Sequence, residues 1–291
     1  MKRNKSFLSV TAKLTIGLLF VVVMSFIGCT QASSPSGTTW QPIEQTERTR
    51  RAQATYQEIF GDMEIPLNST NPELADIMNN FIYGDIYNQS DELDNKLRAL
   101  ITLAALTTHQ SWELLKMNVQ GALNVGLTPV EIMEAIYQCV PYIGIARAYD
   151  GIAAANEVFI NNNISLPLEN QRQIADNERL EAGRRVQTEM YGMTHFDSTA
   201  PDGHIMPFLS EYCFGDFYTR SGLDRKTRQL LTFVILANFG AEPQMRFHIR
   251  GCSLLGWSKE EIIAAVTQCM AFMGMPRTLN AIAAVNEILP D

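Results

Sequence analysis

One histidine near the C-terminus has neighbours that suit acid–base chemistry. His248 lies in the run MRFHIRGC, with Cys252 one helical turn later. An imidazole that titrates near neutral pH can remove or return a proton next to a carbonyl group, although a His in a core or on a surface needs no such task. A thiol one turn from a His can act as a nucleophile, or simply fill space in a core. We take His248 as the candidate acid/base and Cys252 as a second candidate catalytic residue.

Three arginines in the same part of the chain are candidates for binding a carboxylate. Arg228, Arg246 and Arg277 lie close to His248 in sequence, and a guanidinium facing a pocket can hold a carboxylate with two parallel hydrogen bonds. Arg228 could equally form a structural pair with Asp224 or Glu261. Glu261 is a candidate catalytic carboxylate and also the last residue of an S-x-x-E capping box, which starts a helix.

The His248 segment is the second copy of an internal duplication. Residues 223–289 align without a gap with residues 93–159 at an offset of 130 (223 minus 93), and 21 of the 67 aligned positions are identical. Such self-similarity indicates two units of one fold. Asn118 occupies the place of His248 in the first copy. We therefore expect the chemistry in the second copy, with the first as a degenerate copy that completes the pocket or the assembly.

Apolar residues recur at helical spacing almost throughout, and no stretch alternates as a strand would, so we predict an all-α fold. The run at 94–108 is nearly all apolar after Arg98, which predicts a helix buried on most sides. Residues 169–191 are predicted to form one long charged helix, and a further helix is predicted to run through Cys269 to Gly274. The first repeat is placed at residues 45–162 and the second at 163–291.

Several of these features together resemble a known family. The order is Asp-x-Lys-x-Arg before an apolar helix, His248 with Gly251, then Gly256, the capping box and a Gly-x-Pro-Arg turn. Over about residues 45–289 this resembles the carboxymuconolactone decarboxylase family. The resemblance implies the alkylhydroperoxidase D-like helical fold in two tandem repeats. It also implies a lyase acting on a small carboxylated lactone or keto acid without a cofactor, and a homo-oligomer in the form of a trimer of duplicated chains.

Two other functions remain open. The peroxidase branch of that fold carries a C-x-x-C four and seven residues before the His and a Glu nineteen before it. Here those positions hold Gln244, Ala241 and Gln229, which argues against a peroxiredoxin-type antioxidant. A surface-tethered binding protein without turnover is the other alternative.

Composition excludes further classes. The net charge is −8 and no basic patch appears, which argues against a nucleic-acid partner. The histidines lack H-x-x-x-H or zinc-type spacing, so we predict no metal site. The cysteines include no C-x-x-C, and they do not form a disulfide framework.

The N-terminus resembles a bacterial lipoprotein signal. Residues 1–28 have a basic start followed by an apolar run of 14 residues, Leu14–Ile27, which is shorter than a membrane-spanning helix. Cys29 follows a small residue and is the candidate lipidation site, and residues 29–44 form a polar tether. We predict an exported protein, held at the periplasmic or cell-surface side of a bacterial membrane only through its lipid.

Replacing Cys29 with Ala should release the protein from membranes. The tether has no apolar face of its own, so acyl chains on Cys29 would supply all of the affinity. Cell fractionation followed by detection of the full-length chain measures this. A variant that stays in the membrane fraction would contradict the lipoprotein interpretation.

Overall fold

The computed structural model describes residues 45–192 and 203–290 of the 291-residue chain. The predicted signal, the tether up to residue 44 and Cys29 lie outside the described residues. Within them every regular element is helical, which confirms the all-α prediction. None of these helices combines the length and apolarity needed to cross a membrane.

The helices of the first repeat are α1 (Glu47–Phe60), α2 (Pro72–Asn79), a π-helix (Asn80–Ile86), α3 (Asn95–His109), α4 (Trp112–Asn124), α5 (Pro129–Ile143) and α6 (Ile145–Asn161). Those of the second are a 3₁₀ turn (Asp176–Glu178), α7 (Arg179–Tyr191), α8 (Ile205–Phe208), a π-helix (Leu209–Tyr218), α9 (Arg225–Phe239), α10 (Glu242–Leu254), α11 (Lys259–Gln268), α12 (Met270–Met273) and α13 (Met275–Ile288).

The duplication extends beyond the region that aligns without a gap. In the first repeat Arg48 of α1 binds Asp85 of the π-helix through two nitrogens, and in the second Arg179 of α7 binds Asp216 in the same way. Both pairs are related by an offset of 131 (179 minus 48, and 216 minus 85). Helix α7 therefore corresponds to α1, and the second π-helix to the first.

The two repeats share one core. Helices α3 and α9 are buried on nearly all faces, pack against each other, and contact α5 and α11. Arg228 of α9 is fully buried and pairs with Glu134 of α5, a residue of the other repeat. Arg228 and the equivalent Arg98 donate to equivalent glutamines, Gln138 and Gln268, but Arg98 has no acidic partner at the place of Glu134, which Ala264 occupies. Buried polar contacts thus join the repeats on both sides of the α3–α9 contact.

Both capping boxes are present, at the starts of α5 and α11, but other predicted boundaries are wrong. The helix predicted at 169–191 begins only at Arg179. Before it, Asn170 accepts a hydrogen bond from the Arg172 amide and Gln171 binds Ser221, so polar side chains compete with helical bonding. The helix predicted to run through Cys269 to Gly274 is interrupted at Cys269.

The π-helices were not predicted. Each contains a glycine whose missing side chain permits close contact with the neighbouring helix. A Cβ on Gly84 would lie 2.8 Å from the Arg48 carbonyl oxygen, and one on Gly215 would lie 2.5 Å from that of Arg179. These distances are shorter than a real Cβ contact, so the Tyr-Gly-Asp and Phe-Gly-Asp motifs serve helix packing.

Candidate active site

His248 lines a cavity of about 530 Å³ whose walls are mainly apolar and aromatic. Most of the wall comes from α7, α8, the second π-helix and α10 of the second repeat. Pro141 and Tyr142, at the end of α5, come from the first repeat. The site therefore needs both halves of the chain. We call it the His248 cavity.

Helix α10 presents His248 on its buried face. Met245, Ile249 and Cys252 on the same helix are buried, and His248 itself is 6% exposed. A Cβ on Gly251 would lie 2.3 Å from Gln229 Nε2 and 2.6 Å from Tyr191 Cε1. The glycine therefore lets α10 approach α9 and α7 closely enough for His248 to reach their side chains.

Two side chains fix the orientation of the imidazole. Gln229 Nε2 lies 3.0 Å from His248 Nδ1 and also donates to the His248 carbonyl oxygen at 2.9 Å. The Tyr191 hydroxyl lies 3.3 Å from Nδ1 and donates to Gln229 Oε1 at 2.9 Å. Because the Gln229 amide nitrogen is the nearest of these groups to Nδ1, we assign Nδ1 as the acceptor and place the proton of the neutral ring on Nε2. Nε2 has no hydrogen-bond partner among the described residues, so that edge of the ring is available to a ligand.

A buried polar network extends from Gln229 towards the first repeat. The Tyr218 hydroxyl contacts Gln229 Oε1 at 3.2 Å and Thr232 Oγ1 at 2.7 Å. Thr232 in turn accepts a hydrogen bond from Gln138 of α5. The hydroxyl of Tyr142 lies 3.2 Å from that of Tyr218. The network ties the orientation of Gln229, and hence of His248, to residues of both repeats.

Burial sets the protonation state of this cluster. Desolvation lowers the pKa of His248 to about 3, so the expectation that it titrates near neutral pH is wrong for the free protein. Burial also raises the pKa of Tyr191 and Tyr218 far above the usual tyrosine value, and both hydroxyls stay protonated. The site holds a neutral imidazole among neutral hydroxyl groups.

Acid should destabilise the fold through His248. In the unfolded chain the His248 imidazole has a pKa of about 6.5, so it binds a proton below that pH. In the native state His248 does not bind this proton until about pH 3. The contribution of neutral His248 to the free energy of unfolding is therefore present above the unfolded pKa. It is lost as pH falls, by about 2 kcal/mol at pH 5. His248→Asn should remove this part of the loss. Urea unfolding of both proteins at pH 7 and pH 5 measures it, and equal losses would contradict the assignment.

One further polar group in the cavity wall lacks a partner. Gln187 of α7 is 1% exposed, and its Oε1 accepts a hydrogen bond from Ser210. Its Nε2 has no hydrogen-bond acceptor among the described residues. A buried donor without a partner is rare in proteins and carries a free-energy penalty. The Gln187 amide therefore has two unpaired N–H groups as candidate donors to a ligand in the His248 cavity.

The other predicted site residues do not line this cavity. Arg228 pairs with Glu134 as described. Arg246 pairs with Glu287 on the surface, and Arg277 donates to the Asn238 carbonyl oxygen. Glu261 accepts hydrogen bonds at the start of α11 in the capping box. Of the predicted residues only His248 reaches the cavity, and no cationic side chain lines its described part.

The thiols are placed and protonated in a way that opposes redox chemistry. Cys252 is fully buried, its Sγ lies 3.7 Å from the Gln229 carbonyl oxygen, and burial raises its pKa. Burial also raises the pKa of Cys213, which does line the cavity, to about 12. All four cysteines in the described residues are free. A reactive thiolate needs the opposite environment.

Sequence reasoning missed most of the cavity. In the sequence Gln229 stands only where a peroxidase carries Glu, and no motif points to Tyr191, Gln187 or Tyr142. These four side chains come from α9, α7 and α5, and only packing brings them to His248.

Both repeats are similar to the same family of known proteins. The model of the carboxymuconolactone decarboxylase family matches residues 72–157 and again residues 204–287. A 4-carboxymuconolactone decarboxylase of Acinetobacter baylyi is 29% identical over 121 residues, which are 40% of this chain and 90% of that protein. The nitrosuccinic acid decarboxylase NpaB of Metarhizium robertsii is 32% identical over 83 residues, 28% of this chain and 58% of that protein.

A solved structure is also similar. It is assigned as a gamma-carboxymuconolactone decarboxylase subunit from Burkholderia xenovorans LB400. The similarity covers 80% of this chain and 94% of that one, with 21% identity and a TM-score of 0.49.

Proposed function

Since this chain belongs to the carboxymuconolactone decarboxylase family, we propose that it is a lyase that removes CO₂ from a small carboxylated lactone or keto acid. His248 supplies the acid/base function and no cofactor takes part. The two relatives named as decarboxylases support this reaction class.

The observation that carries the proposal is the pair of unpartnered groups in one apolar cavity. No described residue forms a hydrogen bond with His248 Nε2, and the amide nitrogen of Gln187, which lines the same cavity, has no hydrogen-bond partner among the described residues. A carboxylate that enters such a cavity loses its hydration shell. As CO₂ leaves, the negative charge of the carboxylate becomes dispersed over the rest of the substrate. Loss of hydration thus favours the dispersed charge of the transition state over the bound carboxylate. A strong Arg–carboxylate pair would oppose this, and the described wall contains none.

The reaction follows from these groups with the proton balance closed. The bound carboxylate raises the pKa of His248, because a nearby negative charge favours the imidazolium, and the ring takes up a proton from solvent. Tyr191 or Gln229 Oε1, 3.3 Å from Nδ1, then accepts the Nδ1 proton in a hydrogen bond. In a substrate whose carboxyl group is β to a carbonyl group, the bond to the carboxyl carbon breaks, CO₂ leaves, and the electron pair of that bond stays on the substrate as an enolate. Nε2 gives its proton to that carbon, which leaves His248 neutral with its proton on Nδ1, and exchange with solvent restores the Nε2 tautomer.

Replacing Gln187 with Met should weaken substrate binding with little effect on turnover. Met keeps the approximate volume but lacks the donor, and a hydrogen bond to a charged group contributes about 1.5–3 kcal/mol. We expect KM to rise about 10- to 150-fold, with kcat within a few fold of wild type. Steady-state kinetics of CO₂ release measure both constants.

The first repeat offers a matched control. Tyr56 occupies the position of Gln187 (187 minus 56 is 131), and its hydroxyl donates to the Glu64 carbonyl oxygen, away from His248. Tyr56→Phe should leave KM unchanged. An unchanged KM in Gln187→Met, or an equal rise in Tyr56→Phe, would remove Gln187 from substrate binding.

We further propose that the chain self-associates, with a trimer as the arrangement suggested by the family. Support comes from four exposed apolar side chains at equivalent places on α6 and α13: Ile145, Tyr149, Met275 and Leu279. Each helix carries two of them one turn apart, and exposed apolar side chains that adjoin in this way are typical of interaction surfaces. Export and anchoring through Cys29 remain part of the same proposal.

A further inference from the structure

A second cavity lies in the first repeat at the place that corresponds to the His248 cavity. Its volume is about 180 Å³, and Asn118, which aligns with His248, lines it. Ala271 and Phe272 of the second repeat form part of its wall. At an offset of 130 they align with Pro141 and Tyr142, and those two residues line the His248 cavity. The two cavities are related by the duplication, and each is closed by the other repeat. We call this one the first-repeat cavity.

The first-repeat cavity cannot do the same chemistry. The Asn118 amide donates to the Leu114 carbonyl oxygen at 2.8 Å, and an amide does not exchange a proton near neutral pH. The wall is otherwise mostly apolar, with Ile65, Met78 and Ile82 among its residues, and no charged side chain lines its described part. Such a wall disfavours a charged ligand, because a buried charge needs a partner.

One acceptor in this wall has no partner. Asn79, at the end of α2, is 6% exposed, and its Oδ1 is buried without a hydrogen-bond donor among the described residues. Ser210 occupies the corresponding position in the second repeat (210 minus 79 is 131), and its hydroxyl is satisfied by Gln187. The unpaired acceptor is therefore specific to the first repeat and has no counterpart at the equivalent position of the second repeat. A buried unpaired oxygen is rare in a native fold and calls for a donor, which a ligand in the cavity could supply.

We propose that the first-repeat cavity binds a small uncharged aromatic alcohol, of the size of phenol, whose hydroxyl donates to Asn79 Oδ1. An apolar cavity of about 150 Å³ can hold a benzene ring, so 180 Å³ has room for the ring and its hydroxyl. The apolar side chains enclose the ring, and Asn79 selects the hydroxyl. This site binds without turnover and does not depend on the proposed decarboxylation.

The test compares phenol with benzene on the full chain. Calorimetric titration should give phenol about a three- to tenfold lower Kd than benzene, as one hydrogen bond to a neutral acceptor would. Asn79→Leu should abolish that preference, while the matched change Gln187→Met in the other cavity should leave it intact. A preference that persists in Asn79→Leu, or equal Kd values in wild type, would overturn the proposal.

Crystals of the wild-type chain provide a second readout that needs no variant. After a 4-bromophenol soak, the anomalous signal of bromine should lie in the first-repeat cavity, with the hydroxyl within hydrogen-bond distance of Asn79 Oδ1. Bromine found only in the His248 cavity would overturn the proposal. An ordered water on Asn79 Oδ1 that the soak does not displace would overturn it as well.

Discussion

Changing His248 to Asn, the residue of the first repeat, is expected to lower the rate of CO₂ release about 10²- to 10⁴-fold. Asn cannot carry the proton that Nε2 returns to the substrate carbon. The fold should tolerate the change, because α4 carries Asn118 at the same place and keeps its helical geometry. The measurement is kcat on a substrate that the wild-type protein decarboxylates, with the melting temperature as the folding control.

The converse change sharpens this prediction. Asn118→His should not create a second active site, because the partners that orient the imidazole are missing: Ala99 aligns with Gln229, and Phe60 of α1 corresponds to Tyr191 of α7 (191 minus 60 is 131). Unchanged turnover in a folded His248→Asn variant would take His248 out of the mechanism. A non-catalytic binding protein would then be the better account.

Glu134→Ala is expected to be the most destabilising single change at the contact between the repeats. It leaves the guanidinium of Arg228, which is 0% exposed, without its charge partner, and also removes the partner of Arg220. Breaking a buried ion pair in this way costs about 3–5 kcal/mol. Urea unfolding at pH 7 measures the loss, and one below about 1 kcal/mol would show that the pair contributes no more than a surface ion pair.

Two matched variants separate charge burial from lost packing. The double variant Glu134→Ala with Arg228→Met removes the stranded charge, so much of the stability should return. Asp85→Asn, in the more exposed Arg48–Asp85 pair, should change stability by about 1 kcal/mol or less. A double variant no more stable than Glu134→Ala alone would contradict the charge argument.

Much of the fold could be predicted because its signals are local. Helical periodicity, the capping boxes and the duplication each involve residues within one or two turns, or a constant offset. The family follows from the same motifs, and both repeats match its model. The start of α7 was misplaced because Gln171 forms its contacts with Ser221, about 50 residues away, which no local pattern reveals.

The site was predictable only at its centre. The His248/Asn118 difference is visible in the alignment, and His248 does line a cavity. The arginines have the residue type that binds carboxylates, but their partners, Glu134, Glu287 and the Asn238 carbonyl group, come from elsewhere in the chain. The low pKa of His248 arises from burial by several helices, and residue type alone indicates the opposite. Burial and long-range partners are properties of the packed chain.

The most direct test of the proposed lyase is CO₂ release in D₂O from a panel of small carboxylated lactones and keto acids. Each substrate is labelled with ¹³C at the carboxyl group. The account predicts that at least one of them yields one ¹³CO₂ per molecule of product, with one deuterium on the carbon that lost the carboxylate. The wild-type protein should release ¹³CO₂ much faster than the His248→Asn variant. No ¹³CO₂ above the uncatalysed rate from any member, with the protein shown to be folded, would contradict the decarboxylase account.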